Sequence, residues 1–164
     1  MINQSQARGD LVNEIITEYA DMVLRIAYIH TKNHASAEDV FQETFIQLFR
    51  SSVVFDNEEH VRAWLIRVTT NISINLLNSA WHKKTVKLPD NLQCEEKKQN
   101  SEVVEAVKSL PPKYRTVIHL YYFEDMPIAE IATALTIKEN TIKSQLLRAR
   151  KLLKKKLNGG FDDE

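Results

Sequence analysis

Apolar residues recur at intervals of three and four through most of this chain, the spacing of helices that bury one face. Leu11, Ile15, Tyr19, Met22, Val23, Ile26 and Ala27 predict a first helix over residues 11–30. Val40, Phe41, Thr44, Phe45, Leu48 and Phe49 predict a second, with a broad apolar face. Ser36 starts it, and Asp39 three residues on makes a variant of the capping box. Glu38, Asp39, Gln42, Glu43 and Gln47 fall mostly on the opposite side. A polar, acidic connector at 55–60 follows, where Asn57 suits the N-cap of a third helix over roughly residues 58–80. The buried stripe of that helix is Val61, Trp64, Leu65, Val68, Ile72 and Leu76. Thr70, Asn71, Asn75 and Asn78 run along another side.

The pattern breaks at 86–100, which holds Pro89, two asparagines, two glutamines and mixed charge with few apolar residues. That stretch reads as a flexible linker between two small helical modules, 1–85 and 101–164. Val103, Val104, Val107 and Leu110 predict a short helix over 101–110, stopped by Pro111-Pro112. Pro112 opens the next helix, over 113–123, with Val117, Ile118, Leu120 and Tyr121 as its buried candidates. After the turn Glu124-Asp125-Met126, Pro127 suits the start of a helix over 128–135 that turns Ile128, Ile131, Ala132 and Leu135 inward. The last helix lies within 136–157, where Ile142, Leu146, Ala149, Leu153 and Leu157 share one stripe. Two short helices, a tight turn and a basic final helix make a helix-turn-helix. Such a turn usually carries glycine where Thr136 stands. Either Thr136 takes that position, or it forms a capping box with Glu139 and starts the last helix early.

With only three glycines and four prolines, and no long alternation of apolar and polar residues, the chain is expected to be all-α. Its 22 basic and 22 acidic residues cancel. A nucleic-acid-binding protein of zero net charge must segregate its charge, and this one does. Between 141 and 157 stand seven basic residues (Lys143, Arg148, Arg150, Lys151, Lys154, Lys155, Lys156) and no acid. Acids gather at 38–43, 56–59 and 161–164. The single Cys94 excludes an internal disulfide and a multi-cysteine metal site. No signal peptide and no apolar run near the ~20 residues of a membrane span is visible, which predicts a cytoplasmic chain with no membrane insertion. There is no Gly-rich phosphate loop, no HExxH and no hydrolase elbow, so neither catalytic residues nor cofactors are expected. His30, His34 and Glu38 have metal-like spacing, but the polar turn Lys32-Asn33-His34 breaks that face and argues against a site.

Taken together, these residues resemble an RNA polymerase sigma factor of the extracytoplasmic-function (ECF) group of the sigma-70 family. Ala37-Glu38-Asp39-Val40-Phe41-Gln42-Glu43-Thr44-Phe45 looks like the acidic helix of region 2, and the run from Trp64-Leu65-Ile66-Arg67 to Asn75 looks like the tryptophan-led helix after it. Leu110-Pro111-Pro112-Lys113-Tyr114-Arg115, Glu130-Ile131-Ala132 and the run from Asn140-Thr141-Ile142 to Arg150 look like region 4. The resemblance implies that residues 1–85 bind core RNA polymerase and open the −10 element, while 101–164 read the −35 element. It assigns −35 contacts to Lys143, Ser144, Leu147, Arg148 and Lys151, −10 contacts to Asn71, Asn75, Phe55 and Asn57, and core binding to Glu38, Asp39, Gln42 and Glu43. It also implies promoter DNA, core RNA polymerase and an anti-sigma factor as partners. The family often has aspartate at position 75 and arginine at 78, where this chain has asparagine. The alternative is a stand-alone helix-turn-helix regulator with 1–85 as a ligand or dimerisation domain. An enzyme with a DNA-binding tail is a third reading, without a catalytic constellation behind it.

Overall fold

A computed structural model describes residues 4–83 and 101–158, and among them every regular element is helical. The helices are α1 (Gln4–Thr31), α2 (His34–Arg50), α3 (Glu58–Lys83), α4 (Ser101–Lys108), α5 (Pro112–Ile118), α6 (Ile128–Leu135) and α7 (Glu139–Leu157). The expected linker at 86–100, Cys94 and the acidic tail lie outside the described residues.

In the first module α1 packs along both α2 and α3. α1 begins earlier than its apolar pattern suggested, and Val12 rather than Leu11 enters the core. α2 starts at His34, not Ser36: Asn33 is the N-cap, and its Oδ1 accepts the Ser36 N–H at 3.0 Å. Val40, Phe45 and Leu48 are buried, whereas Phe49 is 52% exposed. Asn57 caps α3 as expected, its Oδ1 accepting the His60 N–H at 2.8 Å. The α3 stripe is shifted from the expected one. Leu65, Ile66, Thr69 and Ser73 are fully buried, Trp64, Val68 and Ile72 are half-buried, and Leu76 is exposed. Buried hydroxyls make this possible by bonding within the helix and across it. Ser73 Oγ donates to the Thr69 carbonyl at 2.8 Å, and Thr69 and Thr44 hydroxyls meet at 3.5 Å.

In the second module α5 ends at Ile118, and His119–Phe123 continues as one π-helical turn. α6 runs over the residues its pattern and Pro127 predicted. It ends in a Schellman motif: the Ile137 N–H reaches the Ala132 carbonyl at 3.0 Å and the Thr136 N–H reaches that of Thr133 at 3.3 Å. Thr136 itself takes the left-handed conformation, φ 58° and ψ 47°, and α7 starts at Glu139. The capping-box alternative therefore does not form. A β-branched residue in this conformation costs on the order of 1 kcal/mol. Thr136→Gly is expected to raise stability by about that amount in urea unfolding, less the unfolded-chain entropy that glycine adds. No gain would mean that the threonine side chain compensates for the strain.

The two modules share one continuous core. α1 packs against α4 and α5, and α3 packs against α6. Polar contacts close the seam. Arg25 grips Glu124 with two hydrogen bonds, Nε to Oε2 at 2.9 Å and NH2 to Oε1 at 2.8 Å. Arg62 donates to the Glu124 carbonyl at 2.7 Å and Arg67 to the Ala134 carbonyl at 3.2 Å. Lys108 Nζ bonds Tyr28 Oη at 2.7 Å, and buried Arg115 donates to the His30 carbonyl at 3.3 Å.

Candidate nucleic-acid interface

α7 is rotated by its buried stripe. Ile142, Leu146 and Ala149 are fully buried, which turns Lys143, Ser144, Leu147, Arg148 and Lys151 to the outside. At 100° per residue these five span an arc of about 140° centred opposite Ile142. Leu147 is an apolar side chain left 53% exposed amid that polar face, without a core neighbour to account for it. The helix sits on α5 and α6, as the second helix of a helix-turn-helix does. Glu139 occupies its first turn and Lys154, Lys155 and Lys156 its last, each end carrying the charge that its helix dipole favours.

Two features of this face carried no signal in the sequence pattern. Tyr114 reaches it from α5. A hydrogen bond with Arg148, with Lys113 nearby, lowers the Tyr114 phenol below its ordinary pKa. Arg150 belongs to a different cluster: its Nε donates to Tyr122 Oη at 2.6 Å, and its guanidinium lies 5.6 Å from the ring centres of both Tyr121 and Tyr122. Of the basic run, Arg150 is thus held on the protein.

On α3, Asn71 and Asn75 are both exposed and one turn apart, so they share a face. Phe55 is half-buried, edge-on to Trp64 at 6.1 Å and to His60 at 5.1 Å. Asn57 is exposed, but its side-chain oxygen is committed to capping α3. On α2, Glu38, Asp39, Gln42 and Glu43 are all exposed. Ile46, 41% exposed, and Phe49 continue that surface as apolar neighbours, which makes it half-charged and half-greasy. The His30–His34–Glu38 spacing builds no cation site, since His30 is buried against Thr116 and no group of metal-type ligands occurs among the described residues.

An acidic-apolar helix, an asparagine-bearing helix and a basic helix with an exposed polar face therefore occupy one chain in a fixed order. Residues 15–83 match Sigma-70 region 2, and residues 101–153 match Sigma-70, region 4. The chain is 31% identical to the ECF RNA polymerase sigma factor SigM of Bacillus subtilis, over 93% of this chain and 99% of SigM.

The chain belongs to the ECF group of RNA polymerase sigma factors.

It is 30% identical to the ECF sigma factor SigE of Mycolicibacterium smegmatis over 87% of its length, and there it spans 60% of the relative. The sigma factor RpoE of Bartonella quintana, solved in complex with the anti-sigma factor NepR, has the same fold. The TM-score is 0.72 at 18% identity, over 93% of this chain and 98% of RpoE. As a sigma factor the chain serves promoter-directed transcription initiation, and the region 2 match leaves the stand-alone regulator without support. No helix among the described residues is long and apolar enough to cross a membrane.

Proposed function

We propose that the two modules divide promoter recognition between them. α7 reads the −35 element in duplex DNA, and the Asn71–Asn75 face of α3 captures bases of the −10 element as it opens. The acidic and apolar surface of α2 docks on core RNA polymerase. The observation that carries this reading is the set of five reading residues held outward by the buried stripe of α7. Lys143 and Lys151 supply phosphate affinity that falls with salt. Arg148 has the forked donors that match guanine O6 and N7, and Leu147 suits a thymine methyl. Asparagines have donor and acceptor atoms on one planar group, which suits the edge of an unpaired base. None of these steps makes or breaks a covalent bond, so the chain needs no catalytic group of its own. An anti-sigma factor is part of the same proposal, since the similar RpoE was solved bound to one.

The test is reconstitution. Purified chain and core RNA polymerase are mixed with a promoter library, and specific initiation is sequenced. Initiation at a common bipartite motif is the expected result, and failure to bind core would sink the proposal. On the promoter so selected, Arg148→Ala is expected to lose about 1–3 kcal/mol of discrimination at one −35 base pair while core affinity stays unchanged. An unaltered preference at every −35 position would remove Arg148 from the reading set.

A further inference from the structure

We infer that the acidic tail of this chain, residues 159–164, docks back into an apolar groove of the second module with Phe161 as its anchor. The groove lies between α4, the π-helical turn and the end of α7, and its volume is about 470 Å³. Val103, Tyr122, Phe123 and Leu157 line it, and each is 40% to 50% exposed. Large apolar side chains gathered on one open patch of a small module mark a place where something binds.

Charge says what fits. Arg150 and Lys154 stand on the rim of the groove. Neither pairs with a carboxylate among the described residues, and α7 carries no acid after Glu139. The complement of that rim is an aromatic anchor followed by carboxylates, and Phe161-Asp162-Asp163-Glu164 is such a segment.

Reach agrees with charge. Asn158, the C-cap of α7, itself lines the groove, so the tail departs from its edge. Gly159 and Gly160 come next, the residue type that lets a chain turn back at a helix end. The three residues from Asn158 to Phe161 span at most ~10 Å, and the three acids add as much. Lys154 lies ~6 Å and Arg150 ~12 Å back along the helix axis from Asn158, within that span. Tethering holds the tail near the groove at an effective concentration on the order of millimolar, so a weak contact suffices. The groove is centred about 100° round α7 from the five outward residues Lys143, Ser144, Leu147, Arg148 and Lys151. Docking of the tail is therefore independent of how α7 meets DNA. A partner that takes this groove has to displace the tail first.

The experiment uses the full chain with p-benzoylphenylalanine in place of Phe161, irradiated at low concentration and mapped by mass spectrometry. Cross-links within one chain to α4, the π-helical turn and the last two turns of α7 are the expected result. Lys154→Glu is expected to lower their yield about threefold, and adding Asp162→Lys and Asp163→Lys to restore it. Independently, Phe161→Ala in the otherwise unaltered chain is expected to raise the fluorescence of an apolar dye, anilinonaphthalene sulfonate, about twofold as the groove opens. Cross-links that join two chains would overturn the inference, since the groove then takes the tail of a second copy. So would cross-links spread evenly over the surface, or confined to the Lys151 side of α7. A yield indifferent to Lys154→Glu, together with unchanged dye fluorescence in Phe161→Ala, would overturn it as well.

Discussion

Acidification from pH 7 to pH 4 is expected to weaken the packed form by about 3 kcal/mol through one buried ring, His30. His30 stands in the last turn of α1 and lies in the seam, with Nε2 3.1 Å from Thr116 Oγ1 on α5. The Thr116 hydroxyl donates its proton to the Pro112 carbonyl, so it accepts from His30, and the ring's proton is on Nε2. Nδ1 is buried with no hydrogen-bond partner. A second proton would sit there without an acceptor. Burial above all, then the neighbouring charges of Arg115 and His119, hold the His30 pKa down at about 3 from its ordinary 6.5. The unfolded chain therefore binds a proton below pH 6.5 that the folded chain refuses until about pH 3, and stability falls as pH drops through that window. Urea midpoints between pH 7 and pH 4 measure it. His30→Gln, which keeps the Nε2 donor and cannot titrate, is expected to flatten the slope above pH 4.5. An identical slope in the variant would clear His30 of the effect.

Acid acts on the junction between the two modules. A folded chain of 164 residues has a radius of gyration near 15 Å. Elements named −35 and −10 lie ~25 base pairs apart, about 85 Å of duplex. The packed chain is too small to reach both. A connection of the length of residues 84–100 reaches at most about 60 Å, and the modules themselves supply the rest once the seam has parted. On the proposed division of recognition between α7 and α3, the seam has to part before one chain reaches both elements, and its strength sets what parting costs.

The individual helices were legible in the sequence because their causes are local. α6 follows from Pro127 and four apolar positions, and the rotation of α7 from Ile142, Leu146 and Ala149. The seam was not legible, because its bonds join residues far apart in the chain that follow no period. Arg25 meets a partner 99 residues away and Lys108 one 80 away, and each is indistinguishable in sequence from a solvated charge. Periodicity also fails to separate a buried apolar residue from an exposed one on a broad face. Phe49 belongs to the same helical pattern as Phe45 and Leu48, yet it ends in solvent beside the acids of α2. At Thr136 the residue type argued against the left-handed turn, and the Schellman bonds imposed it nonetheless. In the candidate site, side chains on one helix were readable from spacing. Tyr114 reaches the face from another element, and only the folded chain brings it there.

Glu124→Ala is expected to loosen the seam by about 2 kcal/mol. The carboxylate is 3% exposed and accepts two hydrogen bonds from Arg25 and one from His119 Nε2 at 2.8 Å. Burial alone would raise its pKa. The bonds and charges of Arg25 and His119 outweigh that and hold it at about 2, so the pair stays ionised at neutral pH, and its contribution is lost only as pH falls from about 4.5 towards 2. Removing one partner of a buried pair costs roughly 3–5 kcal/mol. Arg25 is 51% exposed and recovers water when abandoned, which places the cost at or below the low end. The Arg62 bond to the Glu124 carbonyl survives the substitution, so the loss falls on the side-chain network alone. If the packed form competes with core polymerase, 2 kcal/mol corresponds to an increase of up to about thirtyfold in apparent core affinity. Scattering should show a larger radius of gyration for the free variant, with helix content by circular dichroism unchanged. Arg25→Ala should shift both readouts in the same direction, and the double variant should add little to either. A variant with unchanged dimensions and unchanged core affinity would mean that the shared apolar core, rather than the Arg25–Glu124–His119 network, decides when the modules part.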